Sequence, residues 1–396
     1  MATWKECTLS ELGTIVGGAT PSTKDESNYE NGDIPWITPK DLSTFTGRYI
    51  FNGERNITRK GLKSCSAQML PKNTVLFSSR APIGYVAIAG CPVCTNQGFK
   101  SVVPNEKTDP LFLYYLLKYN KEQIENMGSG TTFKEVSGGT MRNIKVVVPE
   151  EKEVQIKIGR ILGAIDDKIE ANVQINNNLE QQAMAYYREL FVCNPKPFGK
   201  VGTISDFGTV IGGSTPSKAK AEYYTESGIP WITPKDLSNN KSKFIYHGEN
   251  DITELGLKNS SATIMPEGTV LFSSRAPIGY IAIAGCDVTT NQGFKSVIPK
   301  PEIGTAFIYY FLKDNLSIIE GMASGSTFKE ISGNTMKKVP AVVPDEETLA
   351  LFNQFCTPLF EQQRVLEAEN RSLIEIRDEL LQKLMSGEID VAELDI

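Results

Sequence analysis

The stretch VLFSSRAPIGY, Val75–Tyr85, recurs letter for letter at Val270–Tyr280. IPWITPKDLS begins at Ile34 and again at Ile229, and TNQGFKSV at Thr95 and again at Thr290, so all three blocks share an offset of 195 positions. A constant offset across separate blocks marks the duplication of a whole unit, not a recurring short motif. The fold is therefore decided by one unit used twice and by whatever joins the copies.

At 396 residues with 40% hydrophobic content the chain can build more than one core. No apolar run reaches the length of a membrane span, and the opening MATWKECTLSELG lacks the apolar core of a secretory signal. This points to a soluble, cytoplasmic protein with no membrane partner. Seven scattered cysteines do not form a disulfide framework, and the one CxxC, Cys91 and Cys94, becomes Cys286 and Thr289 in the second copy, which argues against metal. The single histidine, His247, faces Asn52 in the first copy, so a unit used twice cannot depend on imidazole chemistry. No phosphate-cradling GxxxxGK[ST] and no dinucleotide-binding GxGxxG is present, and NPKPF at 194–198 reads as a proline-rich linker. A catalytic reading would need acids placed alike in both copies; Asp41 and Asp236 are the pair to nominate, and they lack a base or metal partner.

Within each copy, short β-branched runs such as TVLFSS, YVAIAG and IKVVVP alternate with Gly, Pro, Asn and Ser clusters and read as strands. LFLYYLLKYNKEQIENM, Leu111–Met127, has helical spacing and recurs from Phe307. From Glu151 to Phe191 proline is absent and apolar residues step by threes and fours through Ile158, Ile161, Ile165 and Leu179, predicting a helix of roughly 60 Å. Phe352, Leu359, Leu366, Leu373 and Leu380 fall seven apart, a heptad seam that Pro358 interrupts, with Thr357 placed to cap a restarted helix. Asn176 and Asn370 fall near the two seams, where a polar pair can fix register. The expected fold class is α+β: two similar mixed domains, 1–149 and 193–344, separated by two long antiparallel helices, 150–192 and 345–396, in a pseudo-twofold arrangement.

The net charge of −6 conceals a division. The two copies carry +4 and +2, the central helix −3 and the C-terminal segment −9. Base on the repeated units and acid on the helices suit a clamp on a polyanion.

The repeated blocks supply the candidates. Ser78, Ser79 and Arg80, with Ser273, Ser274 and Arg275, end an apolar strand on a Pro-Gly turn. Arginine there can take a guanine edge or a phosphate, or can tie the turn to a carboxylate such as Asp41. Asn96, Gln97 and Lys100, with Asn291, Gln292 and Lys295, offer amides and a cation, although the amides also suit turn chemistry. Thr131, Thr132 and Lys134, with Ser326, Thr327 and Lys329, lie on a glycine-flanked hydroxyl run suited to phosphate. Thr20, Ser22 and Lys40, with Thr215, Ser217 and Lys235, complete the set from GGATPS and ITPKDLS and their twins. In GERNITRKG, Gly53–Gly61, three cations become Asn250, Glu254 and Leu255, so the first copy should hold a polyanion more strongly if this loop faces it.

In this order LGTIVGGATPS, IPWITPKDLS, SSRAPIG, TNQG, SGTTFKEVSGGTMRNIKVVVP, the helix opening EEKEVQIKIGRILGAIDDKIEANVQINNNLE and the ending RDELLQKLMSGEIDV resemble the specificity subunit of type I restriction–modification enzymes. The resemblance covers nearly the whole chain. It implies two target recognition domains, each reading one half of a bipartite site in double-stranded DNA, and conserved spacer helices that set the spacing. It implies no chemistry and no cofactor on this chain. Two modification subunits would dock on the helices and carry S-adenosylmethionine, and would recruit restriction subunits that use ATP. Because the two copies are so alike, the half-sites are expected to be close to inverted repeats. A tandem glycan- or protein-binding module is the competing reading, one that has no need of a long helical spacer.

Overall fold

The computed structural model describes residues 2–130, 134–193, 200–325 and 329–394. The chain forms two compact units. One comprises the residues up to Ala171 together with those from Arg371 onward, and the other runs from Asn172 to Asn370.

The first unit is built on a five-stranded sheet in the order Gly13–Gly17, Lys100–Pro104, Val75–Ser79, Ile83–Ala89, Tyr49–Ile50. Val75, Phe77, Ile88 and Val102 turn one face of this sheet onto the helix Pro110–Tyr119, where Phe112, Leu113, Tyr115 and Leu116 are buried. That helix starts where Asp109 accepts the Phe112 amide at 2.8 Å and proline takes the first turn. The sequence predicts one helix to Met127, but it breaks at Asn120 and a short second helix, Lys121–Asn126, follows. On the opposite face Ile37, Leu42, Leu76, Ala87 and Phe99 form a second core. Beside it Ile34–Ile37 pairs antiparallel with Arg55–Ile57 and parallel with Cys94–Thr95.

The second unit repeats this plan. Its five strands, Gly208–Gly212, Lys295–Pro299, Val270–Ser274, Ile278–Ala284 and Phe244–Ile245, lie in the same order, packed on the helix Thr305–Asp314. One pairing distinguishes it: Tyr224–Thr225 forms a strand on Asn250–Ile252, where the equivalent segment of the first unit lies beside Arg55–Ile57 without a ladder.

Two long helices pass through both units, Lys152–Arg188 and Glu346–Met385. In the first unit Val154, Ile158 and Leu162 pack with Leu381, Leu384, Met385 and Val391. There Asp166 accepts from Arg377 at 2.9 Å, and the Ala392 carbonyl accepts from Lys157 at 2.6 Å. In the second unit Ala183 and Tyr187 pack with Leu349, Phe352, Cys356 and Phe360. Within each unit the helices therefore run antiparallel past one another.

The seam follows the expected positions with a drift. Leu366 is buried, Leu359, Leu373 and Leu380 are half-buried, and Phe360 and Leu381 take the inner places near the ends. Residues at 352, 356, 360, 363 and 366, then 370, 373, 377, 381 and 384, advance between the 3.5 of a strict heptad and the 3.6 of a straight helix. On the first helix Ile158 and Leu179 are buried, while Ile161 and Ile165 sit at the margin.

Two sequence expectations change here. Pro358 does not restart the helix, which runs unbroken through it, and the Thr357 hydroxyl donates back to the Asn353 carbonyl at 2.7 Å. The polar partner of Asn370 is Asn172, not Asn176: the fully buried Asn172 amide donates to Asn370 Oδ1 at 2.9 Å and to Glu369 at 2.8 Å. Asn176 contributes its backbone carbonyl, which accepts from Gln363 at 3.0 Å.

Candidate nucleic-acid interface

Three repeated blocks that are far apart in sequence converge at one end of the main sheet in each unit. The Ser79 amide donates to the Gly98 carbonyl at 2.7 Å, and the Val136 amide to the Ser79 carbonyl at 3.0 Å. SSRAPIG, TNQGFK and the KEVSGG run are thereby laced side by side. GGATPS joins them because Gly18 has no side chain: a Cβ there would stand 2.1 Å from the Asn96 carbonyl oxygen. Gly213 is held to Asn291 in the same way. The segment is fastened at both ends, where the Trp36 indole donates to the Ala19 carbonyl at 3.1 Å and the Tyr29 hydroxyl to the Pro21 carbonyl at 2.6 Å.

The convergence gathers Thr20, Gln97, Arg80 and Lys100, and it sorts the candidates. The Thr20 hydroxyl donates to Gln97 Oε1, as Thr215 does to Gln292. Arg80 is about one-third exposed, with Nη1 3.5 Å from Glu135, and Lys100 lies 3.3 Å from the other oxygen of the same carboxylate. Arg275 and Lys295 share Glu330 at 3.4 and 3.8 Å. Burial pushes the Lys295 ammonium below its ordinary value, with Glu330 acting against that shift. Glu135 and Glu330 are what sequence reasoning missed. The glutamate lies in a repeated FKE, but nothing in the spacing ties it to an arginine 55 positions away.

Several expectations need correction. Ser78 and Ser79 are fully buried and serve the turn: Ser78 Oγ donates to the Pro82 carbonyl and accepts the Tyr85 amide, both at 2.8 Å, and Ser79 Oγ donates to the Gly98 carbonyl at 3.2 Å. Ser273 and Ser274 repeat these bonds, so none of the four hydroxyls is presented to a phosphate. Asn96 and Asn291 accept the Gly98 and Gly293 amides at 2.8 Å, which is turn chemistry. Asp41 is not the partner of Arg80. It accepts the Thr38 amide and hydroxyl at 2.7 and 2.6 Å and the Glu54 amide at 2.7 Å, and Asp236 repeats this around Thr233 and Glu249, so both carboxylates are consumed as caps.

Lys40 and Lys235 are exposed and pair with Glu54 and Glu249 at 2.7 Å. Ser22 and Ser217 are exposed on the fastened segment, and Lys134 and Lys329 are exposed beside the shared glutamates. Thr131, Thr132, Ser326 and Thr327 lie outside the described residues. His247 is exposed, with Nδ1 3.2 Å from the Gly248 carbonyl. The Cys91 thiol donates to the Phe51 carbonyl at 3.3 Å, and Cys94 is buried.

In each unit a buried cation seats the domain on the long helices. Arg48 donates to the Gly163 carbonyl at 2.6 Å, to the Tyr115 hydroxyl at 3.3 Å and to Asp167. At the equivalent place Lys243 meets Glu180 at 2.5 Å, Gln363 at 2.7 Å and the Tyr310 hydroxyl at 3.3 Å. Burial alone would raise the Glu180 carboxyl, but Lys243 and Lys313 outweigh it and hold the group at about 2. A buried charge that is paired and hydrogen-bonded costs more to unpair than an exposed one, so these contacts fix where each domain sits.

Two copies of one cation-bearing surface, each socketed onto paired long helices, define a tandem recognition protein. The model of the type I restriction modification DNA specificity domain matches residues 1–181 and 199–365. A type I restriction enzyme MjaIX specificity subunit of Methanocaldococcus jannaschii is 32% identical over 421 residues, covering 99% of this chain and 94% of that protein. The HindI specificity subunit of Haemophilus influenzae is 26% identical and covers 98% of this chain and 100% of its own length. Among solved structures, the S subunit of a type I restriction–modification system from M. genitalium superposes with a TM-score of 0.64 at 18% identity, covering 97% of this chain and 96% of that one, and shares the fold. The chain belongs to the type I restriction–modification DNA specificity family. That membership sets aside the reading as a glycan- or protein-binding module.

Proposed function

We propose that this chain is the DNA sequence-specificity subunit of a type I restriction–modification complex. It carries no catalytic step of its own. Each recognition domain reads one half of a bipartite site in double-stranded DNA. The observation that carries this is the family match across both copies, together with the twin clusters Arg80–Glu135–Lys100 and Arg275–Glu330–Lys295.

The cations in each cluster are held by a single carboxylate that DNA can displace. Two ammonium or guanidinium groups around one glutamate leave net positive charge, and polyanion binding releases counterions and rewards that surplus. Thr20, Gln97, Lys40 and Lys134, with Thr215, Gln292, Lys235 and Lys329, flank the cluster and are the further DNA contacts in this reading. The two long helices form an intramolecular spacer about a pseudo-dyad. On it two modification subunits dock, bringing S-adenosylmethionine for adenine methylation, and through them the restriction subunits, bringing ATP.

Adenine methylation of host DNA should be mapped with and without this chain. Loss of methylation at one bipartite motif on deletion is the expected result. Unchanged methylation in a host that retains the partner subunits would overturn the assignment.

A further inference from the structure

The two recognition domains differ sharply in charge along one repeated stretch. Gly53–Gly61 and Gly248–Gly256 occupy equivalent positions, yet Arg55, Arg59 and Lys60 of the first are Asn250, Glu254 and Leu255 of the second. Lys60 is already neutralised, with its ammonium 2.9 Å from Asp25 and 2.5 Å from the Ser27 hydroxyl. Arg55 is exposed and makes no ion pair among the described residues. Its guanidinium lies 3.8 Å from the centre of the Tyr29 ring.

That ring belongs to the candidate interface. Tyr29 is buried, packs edge-on against Trp36 with centroids 5.9 Å apart, and donates to the Pro21 carbonyl. It therefore fastens the segment on which Thr20 meets Gln97. The second domain keeps the scaffold: Tyr224 donates to the Pro216 carbonyl at 2.6 Å, Trp231 donates to the Ser214 carbonyl at 3.0 Å, and the rings lie 5.7 Å apart. It lacks the arginine, and its nearby Lys220 is bonded to the Tyr223 hydroxyl at 2.9 Å.

A guanidinium stacked on an aromatic face keeps its N–H edges in the plane, available to an acceptor pair, and has lost much of its rotamer freedom before binding. The natural acceptor pair on duplex DNA is O6 and N7 of guanine. We propose that Arg55 is a specificity-determining residue of the first domain alone: it reads a guanine edge in that domain's half-site, and the second half-site has no counterpart. The half-sites then share a core read by the twin blocks and differ at one position. This inference rests on the DNA-specificity reading above.

The test uses the full chain assembled with its modification subunits, and a panel of duplexes carrying the target with each base pair of each half-site varied in turn. In the wild type one position is expected to demand guanine in the first half-site and to be indifferent in the second. Arg55→Asn, which copies the second domain, and Arg55→Lys, which keeps the charge without the fork, should both abolish that demand. Both should weaken binding to the full target on the order of ten-fold, with the second half-site untouched. Unchanged discrimination in both variants would overturn the proposal. So would uniform weakening over all duplexes with a shallower salt dependence, the mark of a phosphate contact. A wild-type complex with no sequence preference at all would instead sink the DNA-specificity reading itself.

Discussion

Glu135 and Glu330 carry the electrostatics of the candidate interface. Each pairs with a part-exposed arginine and a largely buried lysine. Replacing both with glutamine should tighten binding to nonspecific duplex and steepen its salt dependence, as measured by titrating binding against ionic strength, because the cations no longer have to leave a carboxylate. Loss of affinity in the double variant would show the glutamates to be positioning the cations and not restraining them. Glu180 governs a different property. Its carboxyl is held at about 2 in the folded protein against an ordinary value of 4.5, so the stability it contributes is complete above 4.5 and is lost as pH falls toward 2. The urea midpoint of the wild type should drop across that window, and Glu180→Gln should start lower and show a shallower acid decline. Parallel declines in the two proteins would contradict this.

At the scale of elements, the long helices explain both the success and the limits of the sequence reading. The apolar steps Val154, Ile158 and the heptad through Leu366 were legible because a helix that buries one stripe must space it so. Phe360 and Leu381 were not, because the slow drift of the seam appears only over many turns. Pro358 misleads for a related reason: local rules say that proline ends a helix, yet packing on both sides carries this one through. Leu366→Asp places a carboxylate at a position 9% exposed and should cost at least about 3 kcal/mol, read by chemical denaturation, whereas Leu373→Asp, at a half-buried site, should cost less. Both should impair capture of modification subunits. Equal stability in all three proteins would place these leucines outside the seam. The serines of SSRAPIG show the opposite limit. Their chemistry suits phosphate, but the residue type is silent about which way a strand end turns, and the turn claims all four hydroxyls.

At the scale of the whole molecule the duplication is the property most fully legible, since a repeated block needs no structural knowledge to be seen. Both units realise one strand order, and both place the same cluster on the same turn. Two recognition domains this alike should select half-sites close to inverted repeats, and methylation mapping that returned two unrelated half-sites would refute this. What the sequence could not disclose is the make-up of the units. The first is completed by residues beyond Arg371, with Leu381, Leu384, Met385 and Val391 closing over Val154, Ile158 and Leu162. Synthesis therefore runs out of step with assembly. A chain terminated before Arg371 would lack the residues that cover Val154, Ile158 and Leu162 and should be more open to proteases there.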